Sequence, residues 1–124
     1  MIPSQMLKGT LEGCILAVIG QRETYGYETS QQLEGFGFGK IAEGTIYPLL
    51  LRLEKNGLAE ALYRQSEVGP RRKYYRLTAA GREELAAFIR NYRALRGAVD
   101  NLLEETEGGA DHESENQAAA HSQQ

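Results

Sequence analysis

The stretch Gly44–Gly57, GTIYPLLLRLEKNG, places its apolar residues at Ile46, Leu49, Leu50 and Leu53. At about 100° per residue this i, i+3, i+4, i+7 spacing forms one narrow stripe, which predicts a helix packed on a core. The other side carries Pro48, Leu51, Arg52 and Lys55, flanked by Thr45 and Tyr47. Thr45 is expected to cap the first turn and Pro48 to lie within it, where a missing N–H costs little. Gly57 is expected to end the helix in a conformation open to glycine. Directly after Gly57 the period falls from 3.6 to 2. In LAEALYRQ, Leu58, Leu62 and Tyr63 sit among polar neighbours; Gly69-Pro70 marks a turn; RKYYRLT then alternates basic and aromatic residues. Two short strands around a turn predict a hairpin.

Upstream, residues 5–20 put Leu7, Leu11, Cys14, Ile15, Val18 and Ile19 on a helical stripe that Gly20 is expected to stop. A shorter helix over Gly26–Glu34 has Tyr27 and Leu33 as its expected anchors. Residues 35–43 read as a glycine-rich turn plugged by Phe36 and Phe38. Downstream, Thr78 is expected to cap a long helix with Glu83 and Glu84 near its positive end. Along it Leu85, Phe88, Tyr92, Leu95, Val99 and Leu102 recur at spacings of 3, 4, 3, 4 and 3, a heptad seam. Such a seam of about 25 residues spans roughly 37 Å, whereas a domain of about 100 residues has a radius of gyration near 13 Å. The plain reading is an extra core helix. The length favours a dimer interface, made by this helix with its symmetry mate and with the first helix, which adds Leu11 and Ile15.

Charge divides the chain. Residues 1–103 hold all 14 basic and 11 of the 17 acidic residues, a net +3, while residues 104–124 hold the other six acids and no base. From residue 105 the sequence has almost no large apolar side chain to offset its ordering entropy, so an acidic disordered tail is expected over 105–124. There is no run of eighteen apolar residues and no charged-then-apolar leader, which predicts a cytoplasmic protein with no membrane partner. Cys14, the single cysteine, falls in the first apolar stripe and reads as a small core residue. Both histidines, His112 and His121, lie in the tail. The folded part therefore offers no Ser/His/Asp or Cys/His set, and neither an enzyme, a cofactor nor a metal site is expected.

The element order predicts a mainly α fold with a small β-hairpin: a winged helix-turn-helix over 5–78, a dimerisation helix over 79–104, then the tail. The central helix would enter the major groove of double-stranded DNA. The hairpin, as wing, carries Arg71, Arg72, Lys73 and Arg76 within six residues. Cations at an exposed turn are drawn to phosphates and gain from counterion release. A solvated charged hairpin is the alternative for the wing. A dimeric winged-helix protein–protein module is the alternative for the whole, and would want an uncharged wing and an apolar outer helix face; only Leu51 fits it.

The stretches YGYE (25–28), EGTIYPLLLRLEKNGL (43–58) and SEVGPRRKYYRLTAAGREEL (66–85), with the long last helix, resemble the PadR family of transcriptional regulators across nearly all of residues 7–103. The single last helix is similar to the shorter subfamily, in which it forms the dimer arm. The resemblance implies a homodimer on a palindromic operator, usually repressing, and released in several members by a phenolic or lipophilic cationic effector. By matching position it implies DNA contacts from Thr45, Tyr47, Pro48 and Arg52, with Lys40 ahead of the helix. Tyr27 would steady the preceding helix or touch the DNA backbone, and Arg71, Arg72 and Lys73 would hold phosphates. Tyr75 is expected to be buried and Tyr74 to face out. Phe88 and Tyr92 are candidate walls of an effector pocket, dimer packing being the plainer role. Leu51 stands where the family often has a polar or basic residue, and Thr29 where an aliphatic anchor is common.

Overall fold

Ile15, Ile46, Leu50 and Leu53 expose no surface to solvent and mark the centre of the fold. The structure, a computed structural model, describes residues 2–111, with side chains described to residue 107. The elements are α1 (Ser4–Leu7), α2 (Leu11–Gln21), β1 (Thr24–Tyr25), α3 (Gly26–Leu33), a π-helical turn (Glu34–Phe38), α4 (Glu43–Lys55), β2 (Ala59–Arg64), β3 (Arg72–Leu77) and α5 (Ala79–Asp111). The three strands form one antiparallel sheet in the order β1-β3-β2.

The first expected helix is two. Around Gly9 the Lys8 N–H reaches Gln5 O and the Thr10 N–H reaches Leu7 O, so the chain tightens and restarts. Glycine inside a helix costs about 1 kcal/mol, which makes this the weak point. The stripe itself is right: Leu7, Leu11, Ile15, Val18 and Ile19 are all buried, and the helix passes Gly20 to end at Gln21. In α3 the anchors are Leu33 and Thr29. Tyr27 is 48% exposed, while Thr29 is buried with its hydroxyl donating to Tyr25 O at 3.0 Å. A threonine whose donor is satisfied within its own helix can take an aliphatic position. Of the two expected plugs only Phe38 packs on the core; Phe36 is 65% exposed.

Helix α4 starts before Thr45. Ala42, extended at φ −64° and ψ 146°, is the N-cap, and its carbonyl accepts the N–H groups of Thr45 and Ile46 at 2.9 and 3.2 Å. Thr45 is therefore the third helical residue and caps nothing, and Pro48 is the sixth, beyond the first turn. Its missing N–H removes the bond that would reach the Gly44 carbonyl, on a face open to water. The other end is as expected. Gly57 takes φ +77°, its N–H bonds Glu54 O at 3.0 Å, and the Leu58 N–H bonds Leu53 O at 2.9 Å. That pair satisfies the last carbonyls and turns the chain into β2.

In β3 alternation sends Tyr75 and Leu77 into the core. β1, two residues long, gives no periodic signal; it is recruited because Thr24 and Tyr25 pair with Tyr75 and Tyr74. Thr78 then caps α5, accepting the Gly81 N–H at 3.0 Å while donating to Gly57 O at 2.7 Å.

The chain divides after Phe88 into two units. The first holds the core and the sheet. Leu11 and Ile15, expected at a dimer interface, are 7% and 0% exposed within this unit. Phe88 packs on α2: a Cβ on Gly13 would lie 2.2 Å from its ring. The second unit begins at Ile89 and is the remainder of α5. Its Tyr92, Leu95, Val99 and Leu102 are exposed. The helix runs to Asp111, past the expected boundary at 104. The lack of apolar side chains from residue 105 does not end it, because glutamates are good helix formers and an established helix extends at little cost. Residues 112–124, with His112, His121 and the rest of the tail, lie outside the described residues. Among the described residues no helix is long and apolar enough to cross a membrane.

Candidate nucleic-acid interface

Because Ile46, Leu50 and Leu53 turn inward, helical geometry turns Thr45, Tyr47, Pro48, Leu51, Arg52 and Lys55 outward, and all six are exposed. The Thr45 hydroxyl makes no hydrogen bond among the described residues. Tyr47 lies against the start of α3, where a Cβ on Gly26 would come within 2.5 Å of its ring. Partial burial, and then the nearby Glu43 carboxylate, push its phenol above the ordinary value. Tyr27 and Lys40 are exposed as well, and the Tyr27 hydroxyl accepts a hydrogen bond from Gln31 Nε2 at 3.1 Å. Arg52 is engaged: its Nε donates to Glu12 Oε2 at 3.0 Å.

The wing cations separate by strand face. Arg72, Tyr74 and Arg76 share the outer face of β3, while Lys73 lies on the other side and pairs with Glu54 of α4 at 3.1 Å. Desolvation works against the Lys73 charge, but Glu54 and Tyr75 outweigh it and hold the ammonium above the usual lysine range. Lys73 is thus a strut between the sheet and α4. Arg76 is held by Glu60 at 2.7 Å and Glu23 at 3.5 Å. Arg71 and Arg72 have no carboxylate partner among the described residues. Arg71 lies over Tyr63 at 5.2 Å and Arg72 over Tyr25 at 4.7 Å, stacks that orient a guanidinium without neutralising it.

A row that sequence reasoning missed continues behind Arg72. Tyr25 meets Tyr74 edge-on at 5.2 Å, Arg64 lies over Tyr74 at 5.7 Å, and Arg64 Nε donates to Glu23 Oε1 at 3.0 Å. Its only trace in the sequence is Tyr25 in YGYE, whose pairing with β3 depends on the unpredicted strand. At the wing tip Gly69 takes φ +94°, and Ser66 Oγ lies 2.8 Å from Val68 O and 2.9 Å from Pro70 O.

The structure brings α4's outer face and the wing into one unit. Lys40, Thr45 and Arg52 also line a common groove with the N-terminal segment, while Phe88 falls in the first unit and Tyr92 in the second. Residues 15–87, which include α4 and the wing, match the PadR-like family of transcriptional regulators. The chain belongs to that family. It is 37% identical to the transcriptional regulator Rv3488 of Mycobacterium tuberculosis over 98 residues, covering 79% of this chain and 83% of that one. A crystal structure of a PadR-like transcriptional regulator from Bacillus cereus is 50% identical, with a TM-score of 0.73 over 81% of this chain and 97% of that one. Bacillus subtilis PadR in complex with operator DNA shares the fold, at 24% identity and a TM-score of 0.59 over 64% of this chain and 46% of its own. The family is one of transcriptional regulators, not enzymes.

Proposed function

We propose that this PadR-family regulator binds a palindromic DNA operator as a homodimer and represses from it. The observation that carries the reading is the exposed Thr45–Tyr47–Arg52 side of α4 in the same unit as two arginines, Arg71 and Arg72, that lack carboxylate partners among the described residues. α4 would read the major groove while the wing arginines hold phosphate or enter the minor groove. Bacillus subtilis PadR, of the same fold, is known on its operator. Pairing through the α5 seam would set two α4 helices about 34 Å apart, one turn of DNA. Release by a small aromatic or lipophilic effector completes the reading, with Tyr92 as a candidate wall; Phe88 is largely committed to Gly13.

One observation favours the other reading, a protein–protein module: Leu51 is an exposed aliphatic residue in the middle of the outer face. The same titration decides between them. Duplex DNA from upstream of the protein's own gene, followed by anisotropy at several salt concentrations, should bind with a steep negative salt slope. Replacing Arg71 and Arg72 with alanine should lower that slope by about two per protomer. Absence of binding, or binding indifferent to salt, would remove the operator reading.

A further inference from the structure

Beside α4 the first unit holds a groove of about 580 Å³, inside the size range of small-molecule sites. Leu7 and Leu11, on either side of the break between α1 and α2, line it together with Phe38, Ile41 and Leu49. Two of these positions are braced: Thr10 Oγ1 donates to Leu7 O at 3.2 Å, and Ser30 Oγ donates to Ile41 O at 2.6 Å. The charge of the groove is one-sided. Lys8, Lys40 and Arg52 line it, and the sole lining carboxylate, Glu12, is bonded to Arg52. Lys8 and Lys40 have no carboxylate within ion-pair distance among the described residues.

We propose that this groove binds a small carboxylate with an aliphatic body, and that its occupancy competes with DNA. An apolar floor favours a hydrocarbon chain, since burying each CH2 is favourable. Phe38 is the one aromatic among the lining residues and the other large apolar ones are aliphatic, which suits an alkyl chain better than a flat ring. The two lysines and the Arg52–Glu12 pair leave a net charge of +2, which selects an anion over a cation or a neutral alcohol. The competition follows from shared residues: Lys40, Thr45 and Arg52 line the groove and are also on the face assigned to DNA. The competition alone rests on the operator reading; the binding site stands without it. Tyr92 and the α5 seam play no part.

The test is calorimetric titration of the full chain with octanoate, octanol and octylammonium, all well below micellar concentrations. Octanoate should bind and octylammonium should not. In Lys8→Glu/Lys40→Glu, two exposed positions whose reversal should leave the melting temperature near that of the parent, octanoate affinity should fall about tenfold or more and octanol should be unaffected. Equal binding of octanoate and octylammonium, or octanoate binding indifferent to the charge reversal, would overturn the site. So would octanoate binding confined to a monomeric Leu95→Glu variant, because the groove would then be covered by a second copy of the chain. Octanoate should also raise the apparent Kd for duplex DNA in proportion to its concentration. Octanoate and DNA binding together without mutual effect would overturn the competition. Octanoate binding by a protein that binds no DNA under any condition would count against the operator reading and leave the groove standing.

Discussion

Arg52 has two claims on it. Its guanidinium lies on the face assigned to DNA, yet its Nε is already bonded to Glu12 on α2. An exposed pair of this kind contributes about 0.2–1 kcal/mol, enough to hold the side chain and little enough for a phosphate to displace. Glu12→Gln should therefore tighten duplex binding by about two- to fivefold in an anisotropy titration, while Arg52→Ala should weaken it and make the Glu12 change silent in a double-mutant cycle. Weaker binding by Glu12→Gln would mean that the carboxylate positions the arginine instead of competing for it. Tyr75 is decided by packing. It is almost wholly buried between the sheet and α4, so Tyr75→Ala should cost about 3–5 kcal/mol in urea unfolding. The two residues also show what a sequence can reveal. Burial of Tyr75 follows from strand alternation, a local property. The Glu12–Arg52 contact joins positions forty apart, and no periodicity in either helix announces it.

Among the elements, those with a strong period were legible and those held by partners were not. α4 could be read because its stripe is regular and Gly57 requires a positive φ. β1 could not, because two residues carry no pattern and Thr24 and Tyr25 become a strand only through β3. The same dependence hid the Tyr25–Tyr74 stack that sits behind the wing arginines. Start signals were read less well than stop signals: Thr45 is a good capping residue by type, but an extended Ala42, three residues before the expected cap, supplies the first carbonyl. Where a cap was correct, it does two jobs. Thr78 accepts the Gly81 N–H and donates to Gly57 O, so it holds the start of α5 to the turn that ends α4. Thr78→Ala should lower stability by about 1–2 kcal/mol, toward the upper end for a helix cap. Thr78→Ser keeps both bonds and should recover most of it; an alanine variant as stable as the parent would show that the hydroxyl holds nothing.

At the scale of the whole molecule, the Cys14 thiol, the phenols of Tyr47 and Tyr75 and the Lys73 ammonium shift stability in one direction with pH. Burial raises the Cys14 thiol and the Tyr75 phenol, burial and Glu43 raise Tyr47, and Glu54 raises Lys73. In each case the folded chain holds its proton more tightly than the unfolded chain, so the unfolded chain loses protons first as pH rises. The stability from these groups is intact below their ordinary values, 9.0 for the thiol and 10.0 for the phenols, and is lost as pH climbs through the raised ones. Denaturation midpoints should be level toward neutral pH and fall above about pH 9. A second prediction concerns assembly. Tyr92, Leu95, Val99 and Leu102 keep coiled-coil spacing along the second unit, and Leu95 and Leu102 are 57% and 64% exposed. Fully burying a leucine is worth about 1.5–3 kcal/mol. Leu95→Glu with Leu102→Glu should therefore convert a dimer to a monomer in sedimentation equilibrium. The winged unit's melting transition should stay in place, because neither residue belongs to its core. Operator affinity should fall by about a hundredfold or more, the loss expected when two linked half-site contacts become independent. A parent chain that sediments as a monomer at high concentration would end the two-helix geometry on which palindrome recognition depends, even if single-site DNA binding survived.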